Sequence, residues 1–118
     1  MNNLNSKNIP TIFKYLIFNQ GNTYNLPIRL KLNGTTLYPS DVKRVEFAFG
    51  NIIKMYPEDV EFSEDAFIIP FTQEETFSFN TKENLKYQAR VMFLDDSVKS
   101  TSPYPISINE SISKEVLT

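Results

Sequence analysis

The chain contains no cysteine, no histidine and no tryptophan among its 118 residues. Without cysteine there is neither a disulfide framework nor thiolate chemistry. With histidine missing as well, the commonest metal ligands and nucleophile–base pairs are lost, which leaves only carboxylate chemistry open. No stretch approaches the roughly 18–20 apolar residues of a membrane span. The first residues, MNNLNSKNIP, lack the charged start and apolar run of a secretory signal, so synthesis in the cytoplasm and no membrane partner are expected. The formal net charge is −2 and the 12 basic residues are scattered, which gives no footprint for nucleic acid.

What the chain does have is a supply of core material. Hydrophobic residues make up 41%, with ten Phe and six Tyr. Burying one such ring stabilises by about 1.5–3 kcal/mol before entropy is counted. A single domain is expected, since typical domains run to roughly 100–150 residues. Its parts are a flexible arm over residues 1–10, a β-domain over 11–109 and a tail over 110–118.

Period-two alternation recurs along that domain. TIFKYLIF ends in the turn signal Asn19-Gln20-Gly21-Asn22. Tyr24, Leu26, Ile28, Leu30 and Leu32 share one face of the next strand, and Pro27 within it predicts an edge or a bulge. Asn33-Gly34 suits a tight turn with positive φ. Val45, Phe47 and Phe49 point inward, opposite Arg44, Glu46 and Ala48, and IIKMY follows the turn at Gly50-Asn51. A brief strand around Val60–Phe62 is expected to pair with AFIIPF, whose two apolar faces suggest a place near the middle of the core. Thr72-Gln73-Glu74-Glu75 carries the capping-box signature and predicts one helical turn, with Phe77 and Phe79 pinning the loop beyond it. In LKYQARVMFLDDSVKSTS, Tyr87, Ala89, Val91 and Phe93 share a face, Asp95-Asp96-Ser97 turns the chain and Val98-Lys99-Ser100 returns. PYPISIN adds a last strand, and ESISKEVLT forms a short helix or trails. About seven short strands with turns every 8–12 residues predict an all-β, immunoglobulin-like antiparallel β-sandwich. Tyr87, two residues before the inward Ala89, has the placement of a tyrosine corner; the alternative is a strand aromatic with its hydroxyl in water.

Candidate sites are few. The acidic run from Glu58 to Asp65 lacks the spacing and glycine of a calcium loop and reads as a solvated edge. Glu74 and Glu75 are adjacent and point apart, and capping already accounts for Glu75. Asp95-Asp96 reads as turn chemistry. Tyr15, Tyr38, Tyr56 and Tyr104 stand beside turns or prolines and are the candidates for a binding face. No catalytic residue, metal ligand or cofactor is expected.

Phe18-Asn19-Gln20-Gly21-Asn22, Leu26 to Leu32, Asn33-Gly34-Thr35-Thr36-Leu37 and Val45-Glu46-Phe47-Ala48-Phe49 together resemble the N-terminal immunoglobulin-like domain of baseplate upper proteins. These are tail components of phages and prophages of low-GC Gram-positive bacteria. IPFTQEETFSF and YQARVMFLDDSVKSTS are similar to small stand-alone phage proteins, and the likeness runs from about Thr11 to Asn109. It implies a non-enzymatic virion protein, docking to other tail or baseplate proteins through edge strands or a loop face, and a possible homo-oligomer. The longer baseplate upper proteins continue into helical regions that this sequence lacks, so no role resting on those parts is carried over. A carbohydrate-binding module, reading cell-surface glycan through loop tyrosines, is the alternative.

Overall fold

The computed structural model describes residues 16–118. The expected arm, the start of the opening strand and Tyr15 lie outside the described residues. β1 (Leu16–Asn19), β5 (Val42–Phe49), β6 (Ile52–Tyr56), β9 (Lys86–Phe93), β10 (Val98–Ser100) and β11 (Tyr104–Asn109) form one sheet. Its order is β1-β11-β9-β5-β6, with β10 also on β9. β2 (Tyr24–Ile28), β7 (Glu61–Ser63) and β8 (Ala66–Phe71) form a second sheet in the order β2-β8-β7. β3 (Lys31–Leu32) and β4 (Thr35–Thr36) make a separate hairpin. Of these eleven described strands, four have only two or three residues, which leaves the seven longer ones that the alternation predicts. The fold is an all-β sandwich, and this division of strands follows that of immunoglobulin-type domains.

The inward rows meet as the period-two pattern requires. Val45, Phe47, Phe49, Tyr87, Ala89 and Val91 of the larger sheet have no exposed surface, and neither do Ile28, Phe67 and Ile69 of the smaller one. Rings lock the layers together: Phe47 lies 5.6 Å from Phe67, and Phe49 4.9 Å from Phe71 at an interplanar angle of 87°. An edge-to-face pair such as Phe49–Phe71 adds about 0.5–1.5 kcal/mol beyond area burial. Tyr87 is fully buried and stacks on Phe49 with ring centroids 5.4 Å apart, which excludes a hydroxyl standing in water.

Turns define the register. Asn33 and Gly34 both have positive φ (54° and 80°), the type I′ geometry that suits the twist of a two-residue hairpin. Gly50 alone is positive (60°) between Phe49 and Ile52, as a II′ turn requires. Glu64 and Asp65 also have positive φ (51° and 68°) between β7 and β8, although their side chains disfavour it. At the β9–β10 end, Asp96 adopts φ 71°, and the Asp95 carboxylate accepts from the Ser97 N–H at 3.0 Å.

Several details differ from expectation. β7 begins one residue later than Val60, which is itself buried. β8 is central, between β2 and β7, but its outward Ile68 is only half-buried and Pro70 is exposed, because the larger sheet covers one face alone. Pro70 is tolerated because β7 pairs only with Ala66, Phe67 and Ile68. β2 is an edge strand, which accommodates Pro27. β1 and β11 run parallel, a pairing between distant segments that no hairpin constrains. A register shift at Val42/Arg44 gives β5 a bulge.

The predicted helical turn is α1 (Gln73–Phe77). The Thr72 hydroxyl accepts from the Glu75 N–H at 3.1 Å, and the Glu75 carboxylate accepts from the Thr72 N–H at 2.9 Å. The tail contains no helix. It crosses the end of the sandwich, where the Gln73 amide exchanges two 2.8 Å hydrogen bonds with the backbone of Leu117.

Candidate functional site

The tyrosines do not gather on one surface. Tyr38, 41% exposed, sets its ring 5.7 Å from Phe62, while Tyr56 packs edge-on to Phe67 at 5.2 Å. Both belong to the end of the sandwich where β5 begins. Tyr104 lies 6.1 Å from Tyr87, whose partner in β5 is Phe49 at the opposite end, roughly 20 Å along the strand. The Asp65 carboxylate, accepting from the Tyr38 hydroxyl, holds that phenol above its usual pKa.

The carboxylates named from the sequence have structural partners. Lys54 donates to both oxygens of Glu75, at 3.0 and 2.8 Å, and lies 5.4 Å from the centre of the Phe71 ring. Burial raises the pKa of Glu75, but hydrogen bonds from Lys54 and Thr72 outweigh that and hold it below the ordinary value. Asp95 is lowered by its bonds from the Ser97 hydroxyl and backbone N–H. In the acidic run, the Asp59 carboxylate accepts from the Met55 N–H at 2.9 Å, and the Asp59 N–H donates to the Met55 carbonyl at 2.6 Å. Among the described residues no group of three or more Asp or Glu is placed to hold a metal ion.

The feature with most capacity for recognition is the outer face of the larger sheet. Inward burial of Val45, Phe47, Tyr87, Ala89 and Val91 forces their neighbours outward. Register then aligns Met55, Glu46, Arg90 and Ser100 in one row across β6, β5, β9 and β10, with Arg44, Met92 and Val98 in the next. All of these side chains except Ser100 line a shallow groove of about 260 Å³. Arg90 forms a forked pair with Glu46, Nε to Oε1 at 2.7 Å and a terminal nitrogen to Oε2 at 3.2 Å. That bond lowers the pKa of Glu46 and raises that of Arg90. Arg44 pairs with Glu58 at 2.8 Å. Around the charges, Ile53 (48%) and Val98 (52%) stand exposed, as does Leu94 at the β9–β10 turn.

The sequence identifies Arg44 and Glu46 as outward but not that Arg90 forks onto Glu46, because that depends on which strand pairs with β5. No family model and no curated protein matches the chain.

Proposed function

We propose that this chain is a non-enzymatic docking module of a tailed-phage or prophage particle, associated with the tail or baseplate, and that it works through the outer face of β6-β5-β9-β10. The observation that carries the reading is the composition of that face. Methionine and arginine are among the residues enriched at protein interfaces, and Met55 and Met92 can adapt their shape to a partner. Because Glu46–Arg90 and Arg44–Glu58 are already paired, covering them leaves no lone charge buried. The assignment to a phage particle rests on the resemblance of the strand and turn segments to baseplate upper proteins.

Particles from a strain carrying the gene provide the test. The chain should co-purify with tails at fixed stoichiometry and cross-link to a tail or baseplate protein. Met92→Arg, which changes the face and not the core, should abolish incorporation while the free protein keeps its melting temperature. Absence of the chain from washed particles would overturn the assignment. A carbohydrate-binding role would have to do without a shared platform of Tyr38 and Tyr104, which stand at opposite ends of β5.

A further inference from the structure

We infer that the partner seated on the outer face of the larger sheet is a second copy of this chain, in a two-fold dimer with β5 and β9 of one copy over β9 and β5 of the other. This rests on the docking reading and names its partner. The strand register supports a two-fold arrangement. Glu46 and Arg90 are direct cross-strand partners on the two middle strands, and both point outward. A two-fold axis lying in the interface, parallel to the strands and midway between β5 and β9, exchanges those two positions. Glu46 of each copy then faces Arg90 of the other.

The rest of the face follows the same operation. Arg44 and Met92 are also cross-strand partners, so the Arg44 stem of one copy covers Met92 of the other. Met55 pairs with Glu46 from β6 and Ser100 with Arg90 from β10, which places Met55 opposite Ser100. An isologous interface requires this self-complementarity of one patch with itself. The face also has no net charge to select a partner of one sign: Arg44 and Arg90 balance Glu46 and Glu58. Arg90 binds its own Glu46 through Nε and one terminal nitrogen, and its other terminal nitrogen can donate across the interface.

Sedimentation velocity over a range of protein concentrations tests this with two opposite charge variants. Glu46→Arg gives a face with arginine at both central positions, and Arg90→Glu one with glutamate at both. The wild type should show a monomer–dimer equilibrium. Each variant alone should dimerise on the order of 100-fold more weakly, because like charges then face each other. An equimolar mixture of the two should restore the dimer, since each arginine again meets a glutamate. Circular dichroism melts confirm that both variants fold. A wild type that stays monomeric at every concentration overturns the inference, as do variants that dimerise unchanged or a mixture that gains nothing. A monomer that still enters particles through this face would reject the second copy and leave the docking function intact; a dimer absent from particles would do the reverse.

Discussion

Replacing Thr101 by valine should destabilise the fold far more than the size of the change suggests. Thr101 is buried and opens the three-residue link between β10 and β11, still bonded to β9. Its hydroxyl accepts from the Ala89 N–H at 3.1 Å, and its own N–H donates to the Ala89 carbonyl at 2.9 Å. A side-chain oxygen thus fills the place of a strand carbonyl. Valine keeps the volume and removes the acceptor, which strands an N–H in a residue with no exposed surface. An orphaned buried donor costs about 1–3 kcal/mol. The added methyl returns at most about 0.8 kcal/mol, which leaves a net loss of roughly 1–2 kcal/mol. In a domain of this size that lowers the melting temperature by roughly 5–10 °C.

Urea denaturation monitored by tyrosine fluorescence measures the loss, and amide exchange reads its cause. Thr101→Val should expose the Ala89 amide to exchange selectively. Thr101→Ser, which keeps the hydroxyl, should cost about 1 kcal/mol for the lost methyl and leave Ala89 protected. If valine proves as stable as threonine, with Ala89 still protected, the hydroxyl is not the acceptor that completes β9 and the reasoning fails.

Three further outcomes follow from the geometry. Gly21→Ala should cost about 1–2 kcal/mol in thermal melts, because φ is 84° and a Cβ would come within 2.6 Å of the Phe77 ring. Replacing Glu64-Asp65 by Asn-Gly should stabilise by up to about 1 kcal/mol in chemical denaturation, since both positions need positive φ; a loss would mean that the contacts of Asp65 outweigh the backbone. The third concerns pH. Glu46, Glu75 and Asp95 have folded pKa values below their ordinary 4.5, 4.5 and 3.8, so the unfolded chain binds more protons and their contribution is full only above those values. Stability should therefore be flat between pH 6 and 8, where no histidine titrates, and fall as pH drops below about 5; Glu75→Gln should flatten that fall.

Local chemistry made much of this fold readable. Alternation in β5 and β9 gives the buried rows directly, Asn33-Gly34 announces its own turn, and Thr72 with Glu75 caps α1 as a local motif must. What stayed hidden is non-local or runs against propensity. Glu64-Asp65 does not advertise positive φ, so the β7–β8 hairpin could be placed only to within a residue. The parallel seating of β1 on β11 joins segments some ninety residues apart, where the Asn109 amide donates to the Asn19 side chain. Thr76 and Thr101 look like ordinary loop and helix polar residues until the structure buries both. The candidate face had the same difficulty: each strand shows which residues point outward, but only the pairing of β5 with β9 sets Glu46 against Arg90.

Docking through edge strands or a loop face is what the resemblance implies, and three edges of this sandwich favour the proposed sheet face. Adding a strand to an edge requires a row of open N–H and C=O groups. On β6, the backbone and carboxylate of Asp59 occupy both polar groups of Met55. On β2, Pro27 has no N–H to give. β7 is three residues long, carries Glu61, and ends at once in the tight Glu64-Asp65 turn. Each device blunts an edge in a different way, and together they disfavour strand addition at β6, β2 and β7. The outer sheet face has no such protection: its charges are neutralised in place while Ile53 and Val98 stay in solvent. Blunted edges at β6, β2 and β7 beside a charge-balanced outer face are what the proposed face-to-face contact requires.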